Sequence, residues 1–279
     1  MQLRSLVHKA PLSEPETRAV LDAIGGVLVE RPGYCLIRHS TAPDPLVLER
    51  LRRGLSADIN PLPSGYRGRD VRLLVTDMDS TLIAIECIDE LADMCNLKSE
   101  VAVITEAAMR GELDFPSALR RRVSLLEGLP VSALERVYRE RLRLNPGAER
   151  MLAALRQKGI RVGLVSGGFT FFTERLKRRL RLDFALANVL EVKNGLLTGR
   201  VQGDIVGAEC KARFLSRLCR ELGIDPRQSI AVGDGFNDLE MLAQAGLSVA
   251  YRAKPKLREA ADIVFDHSDL SGVCHLLEP

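Results

Sequence analysis

Short apolar runs alternate with amphipathic segments over the second half of the chain. Five of these runs are too short for a helix and lie at residues 71–76, 160–165, 229–233, 247–250 and 262–265. The intervening segments repeat apolar residues at helical spacing, as Met151, Leu152 and Leu155 do. Strands of a parallel sheet are short and almost continuously apolar because helices cover both faces. The pattern therefore predicts an α/β fold with a doubly wound, Rossmann-like parallel sheet.

A long helical segment interrupts this alternation directly after the first apolar run. Apolar residues at helical spacing predict helices at 88–95, 101–109, 115–126 and 132–142. Asn145-Pro146 has the pattern of an N-cap followed by a proline at the first helical position, so we expect the next helix to begin there. Because these helices are inserted directly after a strand, we interpret them as a lid over the end of that strand. The alternative, a helical subdomain that does not move, stays open.

The first 68 residues have a different pattern with shorter elements. Ser13 and Glu16 form a capping-box pair at the start of a helix that Gly25-Gly26 ends. Asp44-Pro45 begins a second helix as N-cap and first-turn proline. Short strands are expected at residues 2–8, 27–30 and 34–38. Pro61 to Gly68 has the composition of a linker.

Three domains follow from these patterns. We expect a small N-terminal α/β domain at residues 1–68 and a helical cap at residues 85–145. The core consists of residues 69–84 and 146–279, so the cap is inserted after the first core strand.

Composition narrows the range of functions. Of the 279 residues, 46% are hydrophobic, which is enough for a large core, whereas aromatic residues are 4% and Trp is absent. A net charge of +3 is too small for the basic surface of a nucleic-acid binder, and no apolar run reaches membrane-spanning length. The six cysteines form no C-x-x-C pair, which disfavours zinc and favours reduced thiols. We expect a cytoplasmic protein that binds neither nucleic acid nor membrane.

Polar residues follow three of the predicted strands at the point where each strand ends. Asp77 and Asp79 follow the first run, Ser166-Gly167-Gly168 follows the second, and Asp234 follows the third. We expect the Ser166 segment to be a strand-to-helix turn whose backbone N–H groups bind an anion. Because ligands bind beyond the carboxyl ends of parallel strands, these side chains are predicted to form one site.

The chemistry of these residues suits phosphoryl transfer. Asp77 and Asp234 offer carboxylate oxygens to a hard cation such as Mg²⁺, and Lys211 with Ser166 and the Gly167 N–H could neutralise the other side of a phosphate. Asp77 could attack phosphorus to form an acyl phosphate. Asp79 could then protonate the leaving oxygen, which requires that its pKa lie above the ordinary value of about 3.9.

Two charged residues of the inserted segment are candidates for substrate recognition. Glu86 follows the acidic pair closely, and Arg122 lies with Arg120 and Arg121 on the helix that begins near Phe115. Three adjacent residues point in three directions around a helix, so these arginines do not form one patch. A Glu and an Arg together would bind a substrate that carries an ammonium and a carboxylate group.

Four motifs together resemble those of the haloacid dehalogenase superfamily of phosphohydrolases. They are Asp77-Met78-Asp79-Ser80-Thr81, Ser166-Gly167-Gly168, Lys211, and Gly233-Asp234-Gly235-Phe236-Asn237-Asp238. Four longer segments are more specific and resemble the phosphoserine phosphatases within that superfamily; these are residues 85–90, 110–115, 119–124 and 166–172. The resemblance covers roughly residues 70–279, and the first seventy residues match less well.

The resemblance implies catalytic and metal-binding roles for three aspartates. Asp77 would be the nucleophile and Asp79 the acid/base of a superfamily core. Mg²⁺ would be held by the carboxylates of Asp77 and Asp234 and by the backbone carbonyl of Asp79. The implied activity is Mg²⁺-dependent hydrolysis of O-phospho-L-serine to L-serine and phosphate through an aspartyl phosphate, the last step of serine biosynthesis.

The resemblance also implies which residues hold the substrate. These are Ser166, Gly167 and Lys211 for the phosphate, Glu86 and Arg122 for the amino and carboxylate groups, and Asn237 for the phosphate or the attacking water. Phe236 departs from the Ala that many members of the family have at this position.

Three alternatives to this activity stay open at this point, and the first of them is a protein of another class. A phosphoacceptor signalling domain also uses acids, a hydroxyl and a Lys at strand ends, but it lacks a helical insertion and a general acid such as Asp79. A phosphatase of the same fold could act on another phosphomonoester, against which Glu86 and Arg122 are the specific signals. A third alternative is a protein with two roles, in which residues 1–68 sense serine or assemble a homodimer.

Overall fold

The computed structural model describes residues 2–109 and 112–278. The strands are β1 (Leu3–Val7), β2 (Val27–Arg31), β3 (Tyr34–His39), β4 (Ile59–Pro61), β5 (Leu73–Thr76), β6 (Arg161–Phe169), β7 (Phe184–Lys193), β8 (Leu196–Gln202), β9 (Ser229–Gly233), β10 (Leu247–Tyr251) and β11 (Ile263–Phe265). The helices are α1 (Glu14–Ile24), α2 (Pro45–Leu55), α3 (Cys87–Met94), α4 (Lys98–Met109), α5 (Phe115–Ser124), α6 (Val131–Arg136), α7 (Ala148–Gln157), α8 (Thr170–Leu180), α9 (Ala208–Leu222), α10 (Leu239–Gln244), α11 (Pro255–Ala260) and α12 (Gly272–Leu276). Arg110 and Gly111, which belong to one segment of the family resemblance, lie outside the described residues.

The larger sheet confirms the predicted doubly wound α/β fold. Its strand order is β11-β10-β9-β5-β6-β7-β8, and every neighbouring pair is parallel except the β7–β8 hairpin. The chain runs outward from β5 to β8 and then crosses back to β9 on the other side of β5. This crossing is the topological switch point, where ligands bind in open α/β sheets.

Helices cover both faces of this sheet because successive residues of each strand point to opposite faces. Leu74 packs with residues of α7 and α8 such as Met151 and Phe172. Leu73 and Val75 belong to a second core with residues of α9 and α10. β5 is therefore buried on both faces, which explains its continuous apolar sequence.

The register of the three central strands brings their ends to one level. Thr76 pairs with Val232 of β9 and with Leu164 of β6. Asp77 is consequently level with Gly233 and one residue short of both Asp234 and Ser166. The sheet alone thus places the three predicted strand ends side by side.

Helices α3 to α6 lie between β5 and β6 in the chain, as expected for an insertion. The chain leaves and returns along one path: Ile83 bridges Leu144, and the Ala84 N–H donates to the Arg143 carbonyl. The predicted helix start at Asn145-Pro146 is wrong. Gly147, with φ of 80°, is the N-cap of α7 and no proline occupies its first turn; the Asn145 side chain instead contacts the loop after β5.

The predicted turn at Ser166-Gly167-Gly168 also needs correction. β6 continues through Phe169, and α8 begins at Thr170. The pairing of β6 with β7 shifts between Val165 and Phe169, so the glycines lie in an irregular extended segment. The segment is therefore not the N-terminus of a helix, and any anion bound there meets extended backbone.

Residues 3–61 form a second sheet of order β2-β3-β1-β4 with α1 and α2 on one face, the ferredoxin-like βαββαβ arrangement. The capping box of Ser13 and Glu16 and the Asp44 cap are confirmed. Strand β4 was not predicted. The linker interpretation of residues 61–68 is wrong in part, because Pro61 belongs to β4 and both Leu62 and Tyr66 are buried in the main core.

Side chains near β4 fix this sheet to the core. The Asn60 side chain donates to the Val264 carbonyl (3.0 Å) and accepts from the Val264 N–H (2.9 Å), which satisfies the outer edge of β11. The buried Asp58 carboxylate accepts hydrogen bonds from the backbone N–H groups of residues 266–268. The other face of the small sheet, through Leu6 and Leu36, joins the main core.

Within the described residues, no helix is long and apolar enough to cross a membrane. All six cysteines are described, and all are free thiols.

Replacement of Asp58 tests the contact between the two sheets. Asp58→Ala leaves three partly buried backbone N–H groups without their acceptor, and each lost hydrogen bond of this kind costs about 0.5–1.5 kcal/mol. We expect the midpoint of thermal unfolding to fall by at least about 4 °C, measured by circular dichroism. Asp22→Ala, an exposed substitution on α1, should change it little; equal effects of the two substitutions would contradict this role of Asp58.

Candidate active site

The loop after β5 carries the two predicted catalytic aspartates in an irregular turn. Asp77 and Asp79 have extended backbone on either side of Met78, and Ser80 has a left-handed φ of 56°. The turn closes through a hydrogen bond from the Ile83 N–H to the Met78 carbonyl (2.9 Å). Both carboxyl groups therefore lie beyond the carboxyl end of β5, as the D-x-D spacing predicted.

A buried lysine joins two carboxylates at the centre of the site. Lys211, on the first turn of α9, is 0% exposed, and its Nζ lies 2.5 Å from Asp77 Oδ1 and 2.7 Å from Asp238 Oδ1. Burial alone would lower the pKa of Lys211, but the two carboxylates raise it above its ordinary value. Lys211 is therefore a permanent cation that fixes the position of Asp77.

Asp238 is a site residue to which the sequence assigned no role. It is fully buried, and its Oδ2 accepts from the N–H groups of Asp234 (3.3 Å) and Gly235 (3.1 Å). A Cβ atom at Gly233 would lie 2.5 Å from the Asp238 carboxyl, so glycine is required there. The spacing of Asp234 and Asp238 after a strand was the available signal, since a following helical turn returns the second carboxylate to the strand end.

Three carboxylates form a group that suits a divalent cation. Asp77, Asp234 and Asp238 each offer an oxygen within 4.8 Å of the others, whereas the side chain of Asp79 is not part of this group. Burial raises the pKa of Asp77 well above its ordinary value, although Lys211 opposes the shift. Burial, with the charge of Asp238, raises the pKa of Asp234 to about 6. Crowded acidic oxygens with raised pKa values are the donor set of a hard cation.

Asp79 has the surroundings that an acid/base group needs. Its Oδ1 accepts from the Cys87 N–H (3.0 Å) and its Oδ2 from the Ser166 hydroxyl (3.2 Å). Burial, reinforced by the nearby charge of Glu86, raises the pKa of Asp79 to about 7. A Cβ at Gly168 would lie 2.7 Å from Asp79 Oδ2, so the second glycine makes room for this carboxyl. The upward shift required by the sequence argument is present.

The Ser166 segment is held by an asparagine that the sequence did not single out. The Asn188 side chain, buried in β7, donates to the Gly167 carbonyl (2.8 Å) and accepts from the Val206 N–H (2.8 Å). The Ser166 hydroxyl accepts from the Gly168 N–H (2.8 Å). A Cβ at Gly167 would meet the ring of Phe115 from the inserted helices at 2.8 Å. The inserted segment thus packs directly onto this wall of the site.

The structure brings Glu86 and Arg122 to the same side of the site. Ser80 Oγ donates to Glu86 Oε1 (2.6 Å). Burial lowers the pKa of Arg122, although the charges of Asp89, Glu86 and Asp79 oppose the shift. Its Nε is buried and has no hydrogen-bond partner within the described residues. A buried guanidinium N–H without a partner is a group that an anionic ligand would satisfy.

Of the other candidate residues, the two neighbouring arginines lie outside the site, and Asn237 lies in the loop after β9. Arg120 and Arg121 are exposed, so Arg122 alone of the three faces the site. Asn237 lies in the turn between Asp234 and Asp238, where a Cβ at Gly235 would be 2.5 Å from its Oδ1. Phe236 is 62% exposed and its ring faces Lys256 Nζ at 5.2 Å, so this departure from the family pattern lies at the surface.

A family model, related sequences and solved structures all relate this chain to haloacid dehalogenase-like hydrolases or to phosphoserine phosphatases. The model of the haloacid dehalogenase-like hydrolase family matches residues 74–243. A phosphoserine phosphatase from Polaromonas sp. is 53% identical over 214 residues, 75% of this chain and 91% of that protein. The crystal structure of a HAD family hydrolase from Salmonella enterica serovar Typhi has a TM-score of 0.91 at 29% identity and covers 99% of this chain and 98% of its own. That of a probable phosphoserine phosphatase from Vibrio cholerae has a TM-score of 0.84 at 36% identity, with 99% and 86% covered.

The raised pKa of Asp79 predicts a pH effect on the stability of the metal-free protein. Folding favours protonated Asp79, so its contribution is fully present below the unfolded value of 3.8 and is lost as pH rises through about 7. In EDTA, we expect Asp79→Asn to unfold at a higher temperature than the unchanged protein at pH 8 and at a similar temperature at pH 4. Asp22→Asn, on the exposed face of α1, is the control. A temperature difference that does not grow between pH 4 and pH 8 would contradict the shift.

Proposed function

Because the chain belongs to the haloacid dehalogenase-like hydrolase family, we propose that it hydrolyses O-phospho-L-serine to L-serine and phosphate, the last step of serine biosynthesis. It is a phosphatase with a small-molecule substrate. The observation that carries this proposal is a single site with two unlike ends. Asp77, Lys211 and Asp238 form a charged phosphoryl end, and Glu86 and Arg122 form an end that suits an amino acid.

The phosphoryl end supports a division of roles among its residues. Ser166, the Gly167 N–H and Lys211 would bind the phosphate oxygens, and Asn237 would contact the phosphate or the attacking water. Mg²⁺ would be held by Asp77, Asp234 and the Asp79 carbonyl, with Asp238 beside them, and when bound it neutralises negative charge on the phosphoryl group.

The two aspartates of the loop would then perform the reaction in two steps. An Asp77 carboxylate oxygen attacks phosphorus, and the bond between phosphorus and the serine oxygen breaks as Asp79 donates its proton to that oxygen. Asp79 next takes a proton from water, whose oxygen attacks phosphorus; this releases phosphate and regenerates Asp77. A pKa of about 7 suits Asp79 for both proton transfers.

The amino-acid end supports phosphoserine over other phosphomonoesters. The Glu86 carboxylate would accept the substrate ammonium, and the Arg122 guanidinium, with its unpartnered Nε, would bind the substrate carboxylate. A sugar phosphate offers neither charge, so it would leave Arg122 unsatisfied. The phosphoacceptor signalling alternative is excluded, because the chain is a hydrolase of this family.

The domain boundaries, the cellular location and the binding partners of the protein are also proposed. Residues 1–68 would form the first domain, residues 69–84 and 146–279 the core, and residues 85–145 the cap. The two sheets and the inserted helices support this division. Six free thiols support a cytoplasmic location, and the small net charge supports a protein that does not bind nucleic acid. A homodimer is compatible with the proposal.

Arg122→Ala tests the substrate. Loss of a charge-assisted contact of about 1.5–3 kcal/mol should reduce kcat/KM for phosphoserine about 10- to 100-fold. The effect on p-nitrophenyl phosphate, which has no amino-acid carboxylate, should be less than about threefold. Arg121→Ala, a substitution of the exposed neighbour, is the matched control.

Steady-state assays with Mg²⁺ on phosphoserine, phosphothreonine and glucose 6-phosphate complete this test. Phosphoserine should be the preferred substrate of the unchanged protein. Equal losses on phosphoserine and p-nitrophenyl phosphate in Arg122→Ala, or preference for the sugar phosphate, would overturn the proposal.

A further inference from the structure

One buried amide supports the backbone of the loop after β5. Asn145 Nδ2 lies 3.2 Å from the Ser80 carbonyl, 2.8 Å from that of Thr81 and 3.0 Å from that of Ile83. The residue is 6% exposed. Three carbonyl oxygens can pair with an NH₂ group and not with an amide oxygen, so the chemistry fixes the orientation of this side chain.

The loop needs such a partner because it is not a regular helix. The left-handed φ of 56° at Ser80 interrupts the turn, which leaves carbonyl groups without the donors that a continuing helix would supply. Buried backbone carbonyls are normally paired. Asn145, from the far end of the insertion, supplies two N–H groups to three of them, so that one N–H is shared between two carbonyls.

The same stretch of backbone carries two hydroxyl groups that contact site carboxylates. Ser80 Oγ donates to Glu86 Oε1 (2.6 Å), and Thr81 Oγ1 donates to Asp234 Oδ1 (2.9 Å). A displacement of the Ser80 and Thr81 carbonyls would therefore move contacts at both ends of the site.

Asn145 is itself fixed from the opposite side. Its N–H donates to the Leu82 carbonyl (3.0 Å), and the next residue, Pro146, accepts from the Leu270 N–H (3.0 Å). At Gly147 a Cβ would lie 2.4 Å from Asp269 Oδ1, so the chain passes tightly against the C-terminal segment. The amide is thus anchored to the core and can hold the loop in place.

We propose that Asn145 is a positioning residue, which sets the geometry of the loop from Asp77 to Ile83 through its three hydrogen bonds. It touches no reacting atom. The inference deepens the proposed function, on which the role of Glu86 rests. It can nevertheless be tested on any phosphomonoester that the protein hydrolyses.

The test compares two substitutions of Asn145 with one at a matched site. Asn145→Ala removes the amide, and Asn145→Leu keeps its approximate shape but has no group to donate. Asn60→Ala is the control, because Asn60 is also a buried asparagine with two backbone hydrogen bonds but lies at the sheet interface. Thermal midpoints, kcat and KM are measured at 25 °C with p-nitrophenyl phosphate and phosphoserine.

The proposal predicts a loss of activity beyond any loss of stability. Both Asn145 variants should lose about 10- to 100-fold in kcat on both substrates, with an added rise in KM for phosphoserine through Glu86. Asn60→Ala should lower the thermal midpoint with kcat within about twofold of the unchanged protein. Should Asn145→Leu not fold, Asn145→Ala against Asn60→Ala decides.

Two results would overturn the proposal. The first is kcat in Asn145→Ala no lower than in Asn60→Ala. The second is normal kcat in Asn145→Leu, which would mean that shape and not hydrogen bonding matters. Failure of the unchanged protein to hydrolyse phosphoserine, with p-nitrophenyl phosphate still hydrolysed, would refute the proposed substrate and leave the test of Asn145 intact.

Discussion

The buried ammonium of Lys211 is the charge around which the site is arranged. An isolated buried cation is strongly unfavourable, so it must have partners, and Asp77 and Asp238 supply them at 2.5 and 2.7 Å. Together with Asp234, three ionised carboxylates and one ammonium would leave two negative charges, which one divalent cation balances. Without the cation, burial first and the neighbouring carboxylates second raise the pKa values of Asp77 and Asp234, which is the direction expected for acidic groups that lack a balancing positive charge.

This arrangement depends on the order and register of the sheet. Asp77 follows β5, Asp234 follows β9 and Ser166 lies on β6, and these are neighbouring strands at the switch point. Lys211 reaches the same point from α9, which packs over one face of β5. The helices inserted after β5 add Arg122 and bring Phe115 against Gly167. Under the proposed function, the core would supply the phosphoryl chemistry, and the insertion would supply the groups that recognise an amino acid.

The fold class and most of the site residues could be predicted from the sequence, and there are physical reasons why the other features could not. The apolar runs and the helical spacing were enough to predict the fold class, because the positions that are buried in each strand or helix recur along the sequence and leave a periodic pattern. The roles of Asn145 and Asn188 were missed because their partners are backbone groups distant in the chain, and the pattern of the sequence does not report such hydrogen bonds. Asp238 was quoted in a motif but given no role, because its partner Lys211 is distant in the chain. β4 was missed because it is a three-residue strand that ends in proline. The D-x-D spacing alone did not separate the roles of the two loop aspartates; the residues predicted at the neighbouring strand ends suggested two roles, and the family resemblance implied the same ones.

The central claim is that Asp77 is the nucleophile, and trapping the covalent intermediate tests it most directly. The protein would be mixed with Mg²⁺ and ³²P-labelled phosphoserine, quenched in acid, and digested for mass spectrometry. The expected result is label on the Asp77 carboxyl, released by hydroxylamine as an acyl phosphate is and absent from Asp77→Asn. Label on a different residue, or undiminished phosphoserine turnover by Asp77→Asn, would contradict the assignment.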